Sequence, residues 1–414
     1  MTTPTVISLF TGGMGLDLGF ENQGFTIKVA LDNDTAVEAT IRKNGRSFPV
    51  LTSNVSDVTT PDLLRSAGLP VGGATVLTGA PPCEPFTTAG ARNGFQDHRA
   101  GAVHSFIRIV RESRPEYFVF EEVPGFLRAA KQHISFYKRS RMQDKDLHPD
   151  YRLGSAFDEV MKDFKDLGYN LSFDPENPKA SLLNSADFGV PQKRIRFVLI
   201  GAREGPAIEL PKPNHGAPDS KEVQEGVRKP WRTLRDALKG LDSDGDERVN
   251  FPEKWGQYLD LVPEGGCWRD LPEHLHVVVL GGAYDDGSDP MTAGMKGGRT
   301  GFLRRLSWDK PAPTLVDRPT NKANCLCHPE ETRPLSVKEY ARIQGFEDDW
   351  ILSGSLSQRY RLIGQATPVW LAAAIATKVL EHRMGALRGN ESTPTLKVED
   401  VATQQELPRE LVLR

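Results

Sequence analysis

A cysteine framed by prolines is the residue of this chain best suited to covalent chemistry. Cys83 follows Pro81 and Pro82 and precedes Pro85, at the end of the apolar run 74–80. Such a run is typical of a short buried strand, and proline stiffens the backbone around it. We expect a rigid loop that presents Cys83 at the carboxyl end of a strand, where open α/β sheets bind ligands. There a thiolate would act as a nucleophile; the alternative is a buried, inert thiol.

Two polar clusters accompany other predicted strands. Glu121 and Glu122 directly follow an apolar run, and repulsion between adjacent carboxylates is expected to raise at least one pKa. The alternative is one glutamate in a salt bridge and one in solvent. Gln192, Arg194 and Arg196 alternate, so in a strand they would share one face. Two arginines at a ligand-binding edge require anions or carbonyl groups beside them, unless this is an exposed edge strand.

The first predicted strand ends in a loop suited to a nucleotide. The segment 10–15 reads Phe-Thr-Gly-Gly-Met-Gly, and its glycines allow a ligand close to the backbone at a helix N-terminus. Asp32, at the end of the second predicted strand, stands where such folds bind ribose hydroxyls, although it could equally cap a helix. The pattern predicts an adenosine-containing cofactor without distinguishing a dinucleotide from S-adenosylmethionine.

Alternating periodicity provides the elements that would position these residues. The predicted strands are 6–10, 26–31, 75–77, 117–120 and 196–200, and the predicted helices are 16–23, 34–44, 103–113 and 155–167. This β-α alternation predicts an α/β fold with a doubly wound, mainly parallel sheet. Residues 205–330 look like a loop-rich module, helical patterns return at 336–344 and 369–380, and the segment from 385 is expected to be a mobile tail.

Composition limits the class of protein. The chain has 414 residues, a length that predicts two or three domains or one large α/β domain with an insertion. Its net charge is −3, and its 26% of charged residues is typical of a globular protein. We find no apolar run of membrane-spanning length and no signal sequence, and four cysteines in so long a chain indicate a reducing cytoplasm. Cys325 and Cys327 have the wrong spacing for zinc, so no metal is expected. Basic clusters at 131–145 and 296–305 could bind phosphates or form solvated faces.

The order of the motifs resembles the cytosine carbon-5 DNA methyltransferases, which include the modification enzymes of bacterial restriction systems. The resemblance runs from about residue 6 to residue 380. The segments that carry it are 10–21, 79–87, 97–99, 120–125, 184–196, 333–346 and 360–368.

The resemblance implies an overall organisation. It implies a Rossmann-like, S-adenosylmethionine-dependent catalytic domain at 1–204, a smaller loop-rich recognition domain at 205–350, a return segment at 351–384 and a tail at 385–414. A cytoplasmic monomer that acts on double-stranded DNA is expected, with no membrane association. A restriction endonuclease could act on the same site without being bound.

The resemblance also implies roles for single residues. Cys83 would add to carbon 6 of cytosine, Glu121 would hydrogen-bond ring nitrogen 3, and Arg194 and Arg196 would favour the thiolate. The family implies water or a small base for removing the carbon-5 proton. Expected cofactor-binding residues are Phe10, Thr11, Gly12, Gly13, Gly15, Asp32, Asn33, Asn54, Val55, Pro82 and Gln365. Expected substrate-binding residues are Pro82, Glu84, Thr87, Gln192, Arg299 and Arg304.

Several positions depart from the usual residues of the family. Glu84 and Glu122 each place a carboxyl group where the family has an amide, which could disfavour the Cys83 thiolate. The other departures are Met14 for glycine, Asp32 for glutamate, Asn54 for aspartate, Thr87 for serine, Gln365 for asparagine and Ala366 for serine. None removes a catalytic residue, so an active enzyme is expected.

Three other readings compete with this one. The threonine of Pro85-Phe86-Thr87 resembles a branch of the family that methylates transfer RNA, but that branch's cysteine–phenylalanine–threonine signature is missing from 205–330. The departures would also suit a sequence-specific DNA-binding protein that has lost catalysis. A dinucleotide oxidoreductase would explain the glycine loop and leave Cys83 and Glu121 without a function.

Overall fold

A computed structural model describes residues 2–82, 101–132, 148–241, 245, 247–280, 302–321 and 325–389. Four of the predicted site residues lie outside these ranges: Cys83, Glu84, Thr87 and Arg299.

A mainly parallel sheet organises the chain. Its order is β3-β2-β1-β4-β5-β9-β6, with β7 paired to β9. The first five strands along that order are parallel, whereas β9 runs antiparallel to β5, β6 and β7. The strands of this sheet are β1 (Thr5–Leu9), β2 (Thr26–Asp32), β3 (Val50–Thr52), β4 (Val76–Gly79), β5 (Tyr117–Glu122), β6 (Asn170–Leu171), β7 (Leu182–Asn184) and β9 (Ile195–Ala202). The predicted fold class is confirmed.

The described residues also form six further short strands and twelve α-helices. The remaining strands are β8 (Gln192–Lys193), β10 (His215–Gly216), β11 (Lys229–Pro230), β12 (Arg304–Arg305), β13 (Ala312–Pro313) and β14 (Leu326–Cys327). The helices are α1 (Gly15–Glu21), α2 (Thr35–Lys43), α3 (Thr60–Ala67), α4 (Gly101–Ser113), α5 (Ser155–Lys165), α6 (Lys221–Gln224), α7 (Leu234–Leu238), α8 (Glu253–Gly256), α9 (Glu273–Leu280), α10 (Val337–Gln344), α11 (Leu356–Gln365) and α12 (Val369–Gly389).

Strand alternation divides the core between the two faces of the sheet. Phe118 and Phe120 of β5 pack with α3, α4 and α5, whereas Val119 packs with α1 and α12 on the opposite face. Because β5 is covered on both faces, all six of its residues are buried. A sheet buried in this way needs near-continuous apolar strands, which explains why these runs could be read from the sequence.

Some elements differ from the prediction. The three residues of β3 and the helices α3 and α11 were not predicted, and the predicted strand 196–200 extends over eight residues as β9. The tail prediction is wrong for 385–389, because α12 continues to Gly389.

The C-terminal helices are more apolar than expected. The stretch Leu356–Ala386 is long and apolar enough to cross a membrane by composition, but 67% of its apolar window is buried inside the protein. Its last part, α12, packs against α1 and reaches the amino edge of the sheet. There His382 Nδ1 lies 3.1 Å from the Tyr117 hydroxyl, and Arg383 Nε donates to Glu116 at 2.9 Å.

A separate small core lies in the loop-rich region. Its buried members are Leu259, Val262, Trp268, Leu271, Val279, Leu303, Cys325 and Cys327. Arg305, from the basic cluster at 296–305, is only 5% exposed and donates to the carbonyl groups of Leu259 and Val262 at 2.6 and 2.8 Å. Arg305 therefore holds this core together and is not free to bind phosphate, whereas Arg304 is half-buried.

Helices α1 and α12 approach more closely than side chains would allow. A Cβ built on Gly19 would lie 2.6 Å from the backbone nitrogen of Ala373 and still closer to the Ala372 Cβ. Gly19 is therefore required by packing, although glycine is a poor helix former.

Gly19→Ala is expected to destabilise the protein by about 1–3 kcal/mol, because the added methyl group forces α1 away from α12. Gly385→Ala is the matched control, since a Cβ at this exposed position of α12 meets no atom within 4 Å. The control should stabilise the protein by up to about 1 kcal/mol through helix propensity. Urea unfolding measures both changes, and equal effects would contradict the packing explanation.

Candidate active site

Several of the predicted site residues that the structure describes lie at the carboxyl edge of the sheet. Pro82 is exposed just beyond β4, Glu121 and Glu122 end β5, and Arg196 stands near the start of the antiparallel β9. Since Gly79 of β4 pairs with Phe120 of β5, the chain that leads into Cys83 runs beside the two glutamates.

Glu121 and Arg196 form a buried ion pair. Arg196 Nε lies 2.9 Å from Glu121 Oε1, and the residues are 9% and 5% exposed. Glu121 pairs with Val198 in the β5–β9 ladder, so Arg196 lies two residues along on the same face of the sheet. The Arg196 guanidinium also donates to the Ile195 carbonyl at 2.8 Å. Both residues were predicted from the sequence, but their pairing was not.

Glu122 follows Glu121 but points to the other face of the sheet. Its Oε2 accepts from the Val123 N–H at 2.8 Å, and the residue is 1% exposed. Burial raises the pKa of Glu122 well above its usual range, and the charge of Glu121 adds a smaller increase. The prediction of a raised pKa is confirmed, although burial rather than repulsion is its main cause.

Gln192 and Arg194 do not share a strand with Arg196. The chain leaves the ladder at Arg194, between β8 and β9, and Arg194 donates to the carbonyl groups of Leu315 and Gln365 at 3.1 and 3.4 Å. The one-face prediction is therefore wrong. The carbonyl groups expected beside a buried arginine are present, and they come from segments more than 100 residues away in sequence.

Gln192 makes a second connection to the late part of the chain. Its amide nitrogen donates to Gln344 Oε1 at 2.6 Å, and its oxygen accepts from the Leu315 N–H at 2.9 Å. Gln344 in turn donates to the Ile363 carbonyl at 2.6 Å. Gln192 is fully buried, so it fixes the edge of the site instead of offering its amide to a substrate.

The loop after β1 is held in an unusual backbone conformation. Phe10 and Met14 have φ values of 57° and 69°, in the left-handed region that favours glycine. Met14 interrupts the glycine cluster of this loop, and its buried side chain packs with α2 and α10. Backbone strain of this kind is common at ligand-binding sites.

Asp32 links this loop to the end of β2. Its two oxygens accept from the N–H groups of Gly12 and Asp34, both at 2.9 Å. Asp34, not Asp32, caps α2 by accepting from the Ala36 N–H at 3.0 Å, so the capping alternative for Asp32 is wrong. Burial raises the pKa of Asp32, while these backbone hydrogen bonds oppose the change.

The edge around Asp32 fits a nucleoside cofactor. Each Asp32 oxygen keeps a lone pair that could accept a hydroxyl group. Gly12, with φ of 52°, has open space where a Cβ would stand, its nearest atom being the Phe10 oxygen at 3.9 Å. Asn33 follows Asp32 directly, and Asn54 lies just beyond β3, which pairs with β2. Both are exposed, and Asn54 accepts from the Ser56 N–H at 3.1 Å.

Other predicted cofactor-binding residues are occupied by packing. A Cβ on Gly13 would lie 2.8 Å from the Leu362 oxygen, and one on Gly15 would collide with the Thr367 oxygen. The space beside these two glycines is filled by the backbone of α11 and of the α11–α12 connection, so it is not open to a ligand. Val55 is buried in the core, and the Thr11 hydroxyl is hydrogen-bonded to the Ser8 hydroxyl at 2.9 Å. Gln365 is the exception, because it is exposed.

Asp17 was not predicted as a site residue. It lies in the first turn of α1 directly after the loop and is 1% exposed. Burial raises its pKa to about 7, with the nearby Ser8 hydroxyl opposing the change and Glu21 and Asp32 adding to it. The sequence gives no signal for this burial, because it does not show which face of α1 is covered.

These features define an α/β methyltransferase fold. They are the glycine-rich loop after β1, the acid Asp32 at the end of β2 and the antiparallel strand β9 beside β5. Residues 4–381 match the family model of the C-5 cytosine-specific DNA methylases. The chain therefore belongs to this family, and it is a DNA (cytosine-5-)-methyltransferase.

Characterised relatives cover nearly the whole chain. The type II methyltransferase M.Eco47II of Escherichia coli is 32% identical over 91% of this chain and 78% of its own length. The type II methyltransferase M.PspPI of Psychrobacter is 34% identical over 91% of this chain and 79% of its own length.

Solved structures share the fold at lower identity. A prophage-encoded protein of E. coli, described as a DNA modification methyltransferase, has a TM-score of 0.55 at 22% identity, covering 92% of this chain and 100% of its own. The Dnmt2 methyltransferase of S. pombe has a TM-score of 0.54 at 16% identity, covering 92% and 99%.

Asp17→Asn is expected to remove a pH-dependent loss of stability. Between pH 4 and pH 7 the buried Asp17 stays protonated in the folded state while it ionises in the unfolded chain, so the folded state loses stability as pH rises. A pKa raised from 3.8 to about 7 corresponds to about 4 kcal/mol at most. The variant should therefore be more stable than the wild type at pH 8 and similar to it at pH 4. Urea unfolding across this range tests the prediction, with Asp219→Asn on the surface as control; parallel curves for Asp17→Asn and the wild type would contradict it.

Proposed function

We propose that Cys83, Glu121 and Arg196 methylate carbon 5 of a cytosine in double-stranded DNA, with S-adenosylmethionine as methyl donor. The Glu121–Arg196 pair supports this most directly, because it places a carboxyl group and a cation beside the chain that enters the Pro81–Pro82–Cys83 segment.

The chemistry assigns each group a step. The Cys83 thiolate forms a bond to carbon 6 of the ring, and the 5,6 double bond shifts its electrons toward carbon 5. Carbon 5 takes up the methyl group that S-adenosylmethionine supplies, which leaves S-adenosylhomocysteine. A water molecule or small base removes the carbon-5 proton, and the thiolate leaves as the double bond re-forms.

Glu121 would hydrogen-bond ring nitrogen 3, where negative charge develops during the addition. Arg196 holds the Glu121 carboxyl group in place and keeps a positive charge at the site, which favours the thiolate. Arg194 has a different task, since its hydrogen bonds to Leu315 and Gln365 connect the catalytic edge to the late segments.

The residues around Asp32 would hold the cofactor. The Asp32 carboxylate would accept from the ribose hydroxyls, and Gly12 would let the ligand approach the backbone. Phe10, Asn33, Asn54 and Pro82 remain proposed contacts at the same edge.

The substrate and setting follow from the family and its relatives. A stacked base cannot reach a buried edge, so the cytosine must flip out of the duplex. Residues 205–350, with Arg304 and Arg299 among them, would read the neighbouring base pairs. The type II names of the relatives support a role in a restriction–modification system, in which a cognate endonuclease cuts the same site unless it is methylated. The enzyme would act as a cytoplasmic monomer.

Cys83→Ala is expected to abolish methyl transfer, because no covalent adduct can form. Glu121→Gln should slow the reaction by about 10²–10⁴-fold, since an amide cannot act as the acid. Transfer of a tritiated methyl group to duplex DNA measures both, with Cys267→Ala, a half-buried thiol of the small core, as control.

The same assay on transfer RNA completes the test. A protein that methylates transfer RNA and not duplex DNA would be an RNA methyltransferase, and the proposal would be wrong. Bisulfite sequencing that finds no new methylcytosine in cells expressing the protein would favour a protein that only binds DNA. Full activity of Cys83→Ala would overturn the mechanism.

A further inference from the structure

A group of cations surrounds Trp231, next to the strand that enters the catalytic edge. Lys193 Nζ lies 4.2 Å above the centre of the Trp231 ring, and the indole N–H donates to Asp187 Oδ1 at 2.8 Å. Arg228 and Lys193 both act electrostatically on Asp187, and Lys229 acts on the adjacent His215. Four elements of the chain thus meet here: the turn Ser185–Phe188 between β7 and β8, β8 itself, β10 and β11.

Aromatic contacts hold these side chains in place. Arg232 stacks on Trp370 of α12, with its guanidinium carbon 4.6 Å from the ring centre, and this fixes the residue beside Trp231. A lysine on a solvated surface usually samples many rotamers, whereas one stacked on an indole loses much of that freedom. Lys193 and Arg232 are therefore held in place by aromatic rings.

The charges of this group are not balanced. Asp187 is the carboxylate at its centre, and it already accepts from Trp231 and from the Asn184 amide at 3.5 Å. Burial and the neighbouring cations Lys229 and Arg232 lower the pKa of His215, so the imidazole is neutral at pH 7. Lys193 and Lys229 are exposed and Arg228 is half-buried, which leaves their charges accessible in a protein whose net charge is −3.

The position of the group connects it to the reaction. Lys193 directly precedes Arg194, and its carbonyl accepts from Thr314 at 2.9 Å, so it belongs to the same ordered edge as Arg194 and Arg196. A polyanion seated at that edge would extend over a surface of this charge, and Lys and Arg side chains are the usual partners of DNA phosphates.

We propose that Lys193, Arg228 and Lys229 form a phosphate-binding surface for duplex DNA beside the target cytosine. This surface rests on the proposed function, which supplies the DNA. It fixes the position of the backbone and carries no sequence information, so it acts on every duplex alike.

The experiment compares two double variants with equal charge change. Lys193→Ala with Lys229→Ala removes two proposed phosphate contacts. Lys212→Ala with Lys221→Ala is the control, because these lysines are more than 80% exposed and lie 3.9 and 3.7 Å from the carboxylates of Glu209 and Glu225. Fluorescence anisotropy of a labelled 30-base-pair duplex of arbitrary sequence gives the affinity of the full-length protein across a salt series.

Each lost phosphate contact lowers the slope of log K against log salt by about 1. The test variant should therefore lose about 2 in slope and at least tenfold in affinity at low salt, and the control should change neither. Equal slopes for the two variants would overturn the surface. Circular dichroism and thermal unfolding confirm that both variants are folded.

Methyl transfer by the wild type separates this proposal from the proposed function. A wild type that methylates duplex DNA, with no difference between the double variants, overturns the surface alone. A wild type that fails to methylate DNA, while the test variant loses salt dependence, overturns the proposed chemistry and supports the surface.

Discussion

The close approach of α1 to α12 is the contact on which the catalytic edge depends. Gly13, Gly15 and Gly19 remove the side chains that would keep the α11–α12 segment away from the first loop. The same segment supplies the Gln365 carbonyl to Arg194 and the Ile363 carbonyl to Gln344. The glycine-rich loop near residue 12 and the arginine at residue 194 are thus both positioned by residues beyond 360. The catalytic edge cannot be complete until the last helices have packed.

Much of the fold could be predicted because its strands are buried on both faces. The runs at 6–10 and 117–120 are apolar for that reason. The positions of Glu121 and Arg196 next to predicted strands also indicated that both lie at one edge of the sheet. Residue spacing could not show that the chain leaves the ladder at Arg194, because the carbonyl groups that hold Arg194 come from residues 315 and 365. Likewise, three residues of β3 carry too little periodicity to be recognised.

The buried acids of the site have different physical roles. Glu121 has the Arg196 guanidinium beside it, whereas Glu122 and Asp17 are buried with their pKa values raised. A neutral carboxyl group can donate a hydrogen bond as an amide does. The glutamate at position 122 can therefore replace the family's asparagine without adding a negative charge. The sequence predicted that the pKa of at least one of the two adjacent glutamates is raised, but it could not show which one or that burial is the main cause.

The contact between His382 and Tyr117 has a practical consequence for handling the protein. It brings the end of α12 to the amino edge of the sheet, where β1 also begins and Thr5 N–H donates to the Thr75 hydroxyl at 3.1 Å. The proposed catalytic residues Glu121 and Arg196 lie at the opposite edge. A fluorescent label attached near the start of β1 or near His382 would therefore stand away from these two residues.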